Sequence, residues 1–216
     1  MNTIILFDLD GTLIDSTEAI LESFHHALRS HGEITHISDT MITSQVGHPL
    51  EVMFAGVGVD PKRVDAHVDT YKRYYREISC QKTVLLPNAL EAIREASEFA
   101  RLGIVTTKTG LYSRELMEHF GVMEFFEVLI GREHVDNPKP HPEPIYKALK
   151  MMGESDKEVW MIGDTRLDIE ASQRAGIKCV AVTSGYDNTE QLRTLTDIIE
   201  RDALQAVRYI ANGGRK

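Results

Sequence analysis

A buried strand that runs straight into two carboxylates constrains the fold more than any other pattern in this chain. Ile4-Ile5-Leu6-Phe7 reads as such a strand, and it delivers Asp8 and Asp10 to a turn at Gly11. Carboxylates stay at surfaces unless something offsets their charge. Two of them, two residues apart at a strand end, imply a bound cation or acid–base chemistry. The glycine permits a sharp turn that brings Asp10 back over that end.

The remaining sequence sets this strand in an α/β context. From residue 84 onward, apolar strands over 102–107, 128–130, 158–162, 179–182 and 197–199 alternate with helices over 88–100, 111–120, 142–152, 167–175 and 203–210. That alternation predicts a parallel sheet covered on both faces. Residues 15–83 read differently. Ile20, Leu21, Phe24, Ala27 and Leu28 keep a helical period up to Gly32. Short helices over 41–46 and 50–55 flank Gly47-His48-Pro49, and Val64, Val68, Tyr71, Tyr75 and Ile78 line a long helix that starts at Pro61. Asp15 and Glu18 have the spacing of a helix-capping pair. The expected organisation is a Rossmann-like α/β core of residues 1–14 and 84–216, interrupted after its first strand by an all-helical cap of residues 15–83.

A chain of 216 residues suits one large domain or one domain with an insert. Its formal charge of −9 leaves no basic stripe for nucleic acid, whereas a small anionic substrate needs only local positive charge. Cys80 and Cys179 lie far apart and read as free thiols. No apolar run approaches the roughly 18 residues of a membrane span. Nor does a signal-peptide pattern precede Ile4. A cytoplasmic protein with no membrane or nucleic-acid partner is expected; monomer and homodimer both remain open.

Ligands of open parallel sheets bind at the carboxyl ends of the strands. Reading those ends in turn gives Asp8 and Asp10, then Thr106 and Thr107, then Lys139 in the loop Asn137-Pro138-Lys139-Pro140, then Asp164 and Asp168. Each has an ordinary alternative, such as a helix cap, a solvated lysine or a strand-terminal threonine. Their convergence on one sheet edge is what points to a site.

In that order, Asp8-Leu9-Asp10-Gly11-Thr12, Ile104-Val105-Thr106-Thr107, Lys139-Pro140 and Gly163-Asp164-Thr165-Arg166-Leu167-Asp168 resemble the four motifs of the haloacid-dehalogenase-like superfamily. The helical insert stands where that family carries a small cap, and the chain looks most like the phosphoglycolate phosphatase and pyrophosphatase branch. The resemblance implies that Asp8 is a nucleophile forming an aspartyl-phosphate and that Asp10 is the general acid and base. It implies Mg²⁺ on the Asp8 carboxylate, the Asp10 backbone carbonyl and Asp164, with Asp168 in support through water or Lys139. Lys139, Thr106 and the turn at Gly11 would hold the phosphate. Thr107 stands where related phosphatases often carry Asn. His48, at the tip of the cap loop, is a candidate for reading the substrate.

The implied substrate is a small phosphorylated metabolite, with 2-phosphoglycolate first. Pyrophosphate hydrolysis and sugar phosphomutation are alternatives, and a non-catalytic binding role on the same fold comes last. Asp10 separates the chain from the dehalogenases, which lack an acid there and need no metal. Lys62, Lys72 and Lys82 read as solvated, not as a Schiff-base lysine, and Lys108 reads as a solvated loop residue, with a place near the leaving group as the alternative. Arg166 is open between cleft and plain surface. Asn88, where relatives often have Gly, bears on the cap hinge. His25, His26, His36 and His67 read as helix-surface residues.

Overall fold

The computed structural model describes residues 2–32, 37–153 and 158–215. His36 lies outside the described residues. The central element is a six-stranded parallel sheet. Its strands are β1 (Thr3–Phe7), β4 (Ala100–Val105), β5 (Phe126–Ile130), β6 (Glu158–Gly163), β7 (Lys178–Val182) and β8 (Ile199–Glu200), in the order β5-β4-β1-β6-β7-β8.

The continuous apolar run of β1 follows from burial on both faces. Ile5 and Phe7 point into one core, with Trp160 and Ile162 of β6, against α5 (Ala89–Phe99), α6 (Gly110–His119) and α10 (Ala203–Ala211). Ile4 and Leu6 point into the other, with Met161, against α7 (Glu143–Met152) and α8 (Arg166–Ala175). Side chains alternate along a strand, so a strand with two buried faces needs apolar residues at every position. Gly103 of β4 is the exception. A Cβ there would sit 2.8 Å from Leu6 Cδ2 and 2.8 Å from Val128 Cγ1. Gly103→Val is therefore expected to destabilise the fold by about 1–3 kcal/mol through overpacking. A urea midpoint equal to wild type would contradict that packing.

After β1 the chain enters a helical insert: α1 (Thr17–Ser30), α2 (Asp39–Thr43), α3 (Leu50–Gly56) and α4 (Val64–Lys82). It has its own core, in which the Phe24 and Phe54 rings stack with centroids 3.9 Å apart and Tyr71 meets both edge-on. The two ends of the insert pair with each other. β2 (Ile14–Asp15) and β3 (Val84–Leu85) form a two-residue antiparallel ladder, too short for any periodicity to reveal.

Several local expectations need correction. The Asp15–Glu18 cap does not form: α1 starts at Thr17 behind Ser16, the Asp15 carboxylate accepts from the Thr17 N–H at 3.0 Å, and Glu18 pairs with Lys82 at 2.6 Å. His67 is not on a helix surface. It is fully buried, its ring against His31 and Phe54, whereas His25 and His26 are half-buried. The second apolar strand stops at Val105, which leaves Thr106 and Thr107 just beyond it, and the last strand falls one to two residues later than its expected position. The short helix α9 (Thr189–Arg193) has no counterpart in the sequence reading. Asn88, at φ 66°, occupies the left-handed region, which explains why a glycine suits this position. Cys80 and Cys179 are free thiols. Among the described residues, no helix is long and apolar enough to cross a membrane.

Candidate active site

Successive strands run outward in one direction from β1 to β4 and β5, then in the other from β6 to β7 and β8. The reversal lies between β1 and β6, and such a switch point opens a crevice beyond the strand ends. Asp8 directly follows β1, its N–H still bonded to the Ile162 carbonyl at 2.9 Å. Asp164 directly follows β6, and Asp168 lies in the first turn of α8. The Asp8, Asp164 and Asp168 carboxylates are all buried, each offering an oxygen within 4.8 Å of the others.

Lys139 enters from the loop after β5, its side chain 2% exposed. Its Nζ donates to Asp168 Oδ1 at 2.5 Å and to the Val105 carbonyl at 3.1 Å, and it lies 2.9 Å from Asp8 Oδ1. The last contact is an ion pair, and Asp8 Oδ1 is a buried oxygen with no donor besides that ammonium. Asp168 is committed elsewhere as well: its Oδ2 accepts from the Thr165 N–H at 3.1 Å and the Thr165 hydroxyl at 2.7 Å. Asp164 accepts one bond on each oxygen, from the Thr12 hydroxyl and from the Tyr186 N–H, both at 2.9 Å. Gly11, at φ 82°, and Gly185 approach this carboxylate so closely that a Cβ on either would run into it.

Three carboxylates around one ammonium leave the cluster short of positive charge. Burial, with Asp168 and Asp10 nearby, pushes Asp8 up to about 7 despite Lys139. Burial, reinforced by Asp8 and Asp168, raises Asp164 well above the carboxylate range. Burial would pull Lys139 down, but Asp168 and Asp8 hold it protonated. Three buried carboxylates that converge within 4.8 Å around a single ammonium fit a hard cation such as Mg²⁺.

Asp10 immediately precedes a tight turn in which the Gly11 N–H bonds the Ile14 carbonyl at 2.9 Å. Its carboxylate accepts from the Ser16 hydroxyl and from Lys108 Nζ, at 3.0 and 3.1 Å to its two oxygens. The expectation of a solvated Lys108 is thus overturned. Its side chain is 9% exposed and lies 4.5 Å over the Tyr75 ring. Burial would lower its affinity for a proton, but Asp10 keeps it raised.

Thr106 is buried, and its hydroxyl oxygen accepts from the Lys108 N–H at 3.2 Å. The Thr107 hydroxyl is spent on the helical insert, donating to the Gly47 carbonyl at 2.8 Å. His48 Nε2 lies 3.4 Å from the Arg166 guanidinium, which in turn sits 3.7 Å from Asp187. Partial burial and the neighbouring Arg166 lower the proton affinity of His48. Arg166 is half-buried against these two partners instead of lying free on the surface.

Between insert and sheet lies a small chamber of about 50 Å³ that opens to solvent. Asp10, Thr107 and Lys108 are on its wall; Asp8, Asp164 and Lys139 are not. Its apolar lining is Ile20, Val46, Leu50 and Met53 with Tyr71, Tyr75 and Tyr112, and Lys72, His48 and Arg132 also reach it. Lys72 is accordingly only half-solvated, whereas Lys62 is exposed and Lys82 pairs with Glu18 and Glu22.

Sequence reasoning missed Tyr186, Ser184 and Gly185, although the rule that found the other positions applied to them. They follow β7, and Ser184 donates to the Gly11 carbonyl at 2.8 Å. Thr12 stood inside a quoted motif without a role. Arg132 had no signal beyond its place after β5.

Comparison with known proteins agrees with this geometry. Residues 5–182 match the family of haloacid dehalogenase-like hydrolases. The chain is 32% identical to the pyrophosphatase PpaX of Halalkalibacterium halodurans, over 93% of this chain and 96% of that one. It is 29% identical to a phosphoglycolate phosphatase of Yersinia pseudotuberculosis, over 88% and 84%. A haloacid dehalogenase-like family hydrolase from Streptococcus pneumoniae superposes with a TM-score of 0.86 at 27% identity, covering 96% of this chain and 98% of that one. This chain belongs to the haloacid dehalogenase-like hydrolases.

Proposed function

We propose that the protein is a Mg²⁺-dependent phosphatase of small phosphomonoesters that works through an aspartyl-phosphate. The observation that carries the reading is the buried cluster of Asp8, Asp164 and Asp168 around the Lys139 ammonium at the switch point of the sheet. In the proposed reaction, an Asp8 oxygen bonds to phosphorus while the bond to the leaving oxygen breaks. Asp10 gives that oxygen a proton, then takes one from the water that hydrolyses the aspartyl-phosphate. Lys139 and the Thr106 hydroxyl offset charge on the transferring oxygens. Residues 1–14 and 84–216 act as the catalytic core and residues 15–83 as a cap that excludes water.

Asp8 and Asp164, with the Asp10 backbone carbonyl, would hold the metal, and Asp168 would serve it by orienting Lys139. When bound, Mg²⁺ supplies the positive charge that lets a phosphate dianion approach a carboxylate. Of the substrates, 2-phosphoglycolate is the first candidate, and the resemblance to PpaX makes pyrophosphate the second. A phosphate-release panel over both, with sugar phosphates and nucleotides, tests the reading. No release from any of them in Mg²⁺ would sink it.

Chelation is expected to remove activity, and the metal should also register in stability. In the metal-free protein Asp8 keeps its proton up to about pH 7, whereas the unfolded chain loses it near the ordinary aspartate value of 3.8. The folded state then binds more protons between these limits, so stability falls as pH rises from about 4 through 7. Mg²⁺ competes with that proton. The rise in Tm on adding Mg²⁺ should therefore be larger at pH 8 than at pH 5.5, and an equal rise at both would count against Asp8 as a ligand.

A further inference from the structure

We propose that His48 is a positioning residue that seats the insert's loop at residues 46–48 on the core only while its imidazole is neutral, so that acid unseats the loop. The consequence for turnover rests on the phosphatase reading above, whereas the seating does not. The loop meets the core through two polar contacts. The Thr107 hydroxyl donates to the Gly47 carbonyl at 2.8 Å, and the Arg166 guanidinium of α8 reaches His48 Nε2 at 3.4 Å. Between them the backbone comes close to the turn after β6: a Cβ on Gly47 would stand 3.1 Å from Thr165 Cγ2.

The two contacts respond differently to acid. Neither the hydroxyl nor the carbonyl of the first titrates near neutral pH. In the second, a guanidinium has only donors, so the imidazole accepts: it is neutral, with its proton on Nδ1. Protonation at Nε2 removes the acceptor and leaves two cations 3.4 Å apart. Asp187, in the loop after β7, would favour the imidazolium. It is already engaged by Arg166, whose N–H it accepts at 2.7 Å and whose guanidinium lies 3.7 Å away. The other charged groups on the chamber wall with His48 are Asp10, Glu51, Lys72, Lys108 and Arg132. Lys108 offsets Asp10, and Glu51 faces two cations, so the wall adds no net attraction for an imidazolium. The tyrosines there stay neutral in this range. Partial burial and Arg166 both act to lower the proton affinity of His48, against the weaker pull of Asp187. The Arg166 side chain is 39% exposed, so water screens the repulsion and the effect is a modest one.

The test starts from NMR titration of the histidine nitrogens in metal-free protein. His48 should titrate below the ordinary histidine value of 6.5, as the Nδ1–H tautomer, and R166M should raise its midpoint. Seating is read from the Val46 and His48 amides, which bond the Thr43 and Gln45 carbonyls within the same turn. Their hydrogen exchange, corrected for its intrinsic pH dependence, should quicken about threefold to tenfold in wild type from pH 7.5 to 5.5. H48Q, whose amide oxygen can accept from Arg166 at either pH, should show no such change, and R166M should exchange fast at both. A His48 midpoint at or above 6.5, a midpoint untouched by R166M, or wild-type exchange that follows H48Q at both pH values would overturn the assignment. The wild-type to H48Q ratio of kcat/KM, on the best ester of the phosphate-release panel, should fall by about the same factor over this range. If no ester releases phosphate, the phosphatase reading fails by itself, and titration and exchange still decide the seating.

Discussion

Asp8→Asn should leave a folded protein that releases phosphate from no ester, with kcat down by about 10⁴-fold or more. The amide is isosteric but is a far poorer nucleophile. The variant also has an internal control for folding. Asp8 sits with Asp164 and Asp168 around a single ammonium. Removing one negative charge relieves repulsion in a buried cluster, so the metal-free variant should melt no lower than wild type. A lost activity accompanied by a lowered Tm would point to collapse of the site, not to loss of the attacking group. Mg²⁺-dependent turnover in a purified variant would exclude Asp8 as nucleophile.

Lys139→Met should produce the largest loss of stability of any single substitution around the site, about 3–5 kcal/mol in metal-free protein near neutral pH. The ammonium is 2% exposed, so solvent does little to screen its partners. Methionine fills the stem's volume and leaves the Asp8 and Asp168 carboxylates facing each other. The loss should shrink in acid, where Asp8 takes up a proton instead. Adding Asp168→Asn should recover part of it, because the pair removes one charge of each sign. Urea unfolding of the single and double variants measures both effects. A Lys139→Met midpoint equal to wild type would mean that Lys139 does not hold the cluster together.

The parts of this molecule that were legible in sequence share a physical reason. Ile4 to Phe7 announce a doubly buried strand because each face needs its own apolar residue, and Asp8 then stands out by polarity alone. Asp164, Asp168 and Lys139 were found because strand ends converge in any parallel sheet. What escaped depends on contacts between remote segments. Lys108 looks solvated until Asp10 and Tyr75 are placed around it. Asp15 and Glu18 misled for a related reason: α1 starts behind Ser16, whose hydroxyl is turned to Asp10, so the helix begins without a side-chain cap. The pairing of β2 with β3 left no trace because two residues carry no period. Ser184 to Tyr186 were legible and were passed over, since the strand-end reading stopped one strand early.

That short ladder has a consequence for how such a protein can change over generations. The helical insert leaves and rejoins the sheet at neighbouring backbone positions, Ile14 beside Leu85 and Asp15 beside Val84. The carboxylates and ammonium around Asp8 all come from outside it, whereas six of the seven apolar chamber residues come from within it. On the proposed function, substitutions between the two ends of the ladder can therefore retune which molecule is accepted while the groups around Asp8 stay as inherited. One reaction and many diets can share a single ancestry on this plan.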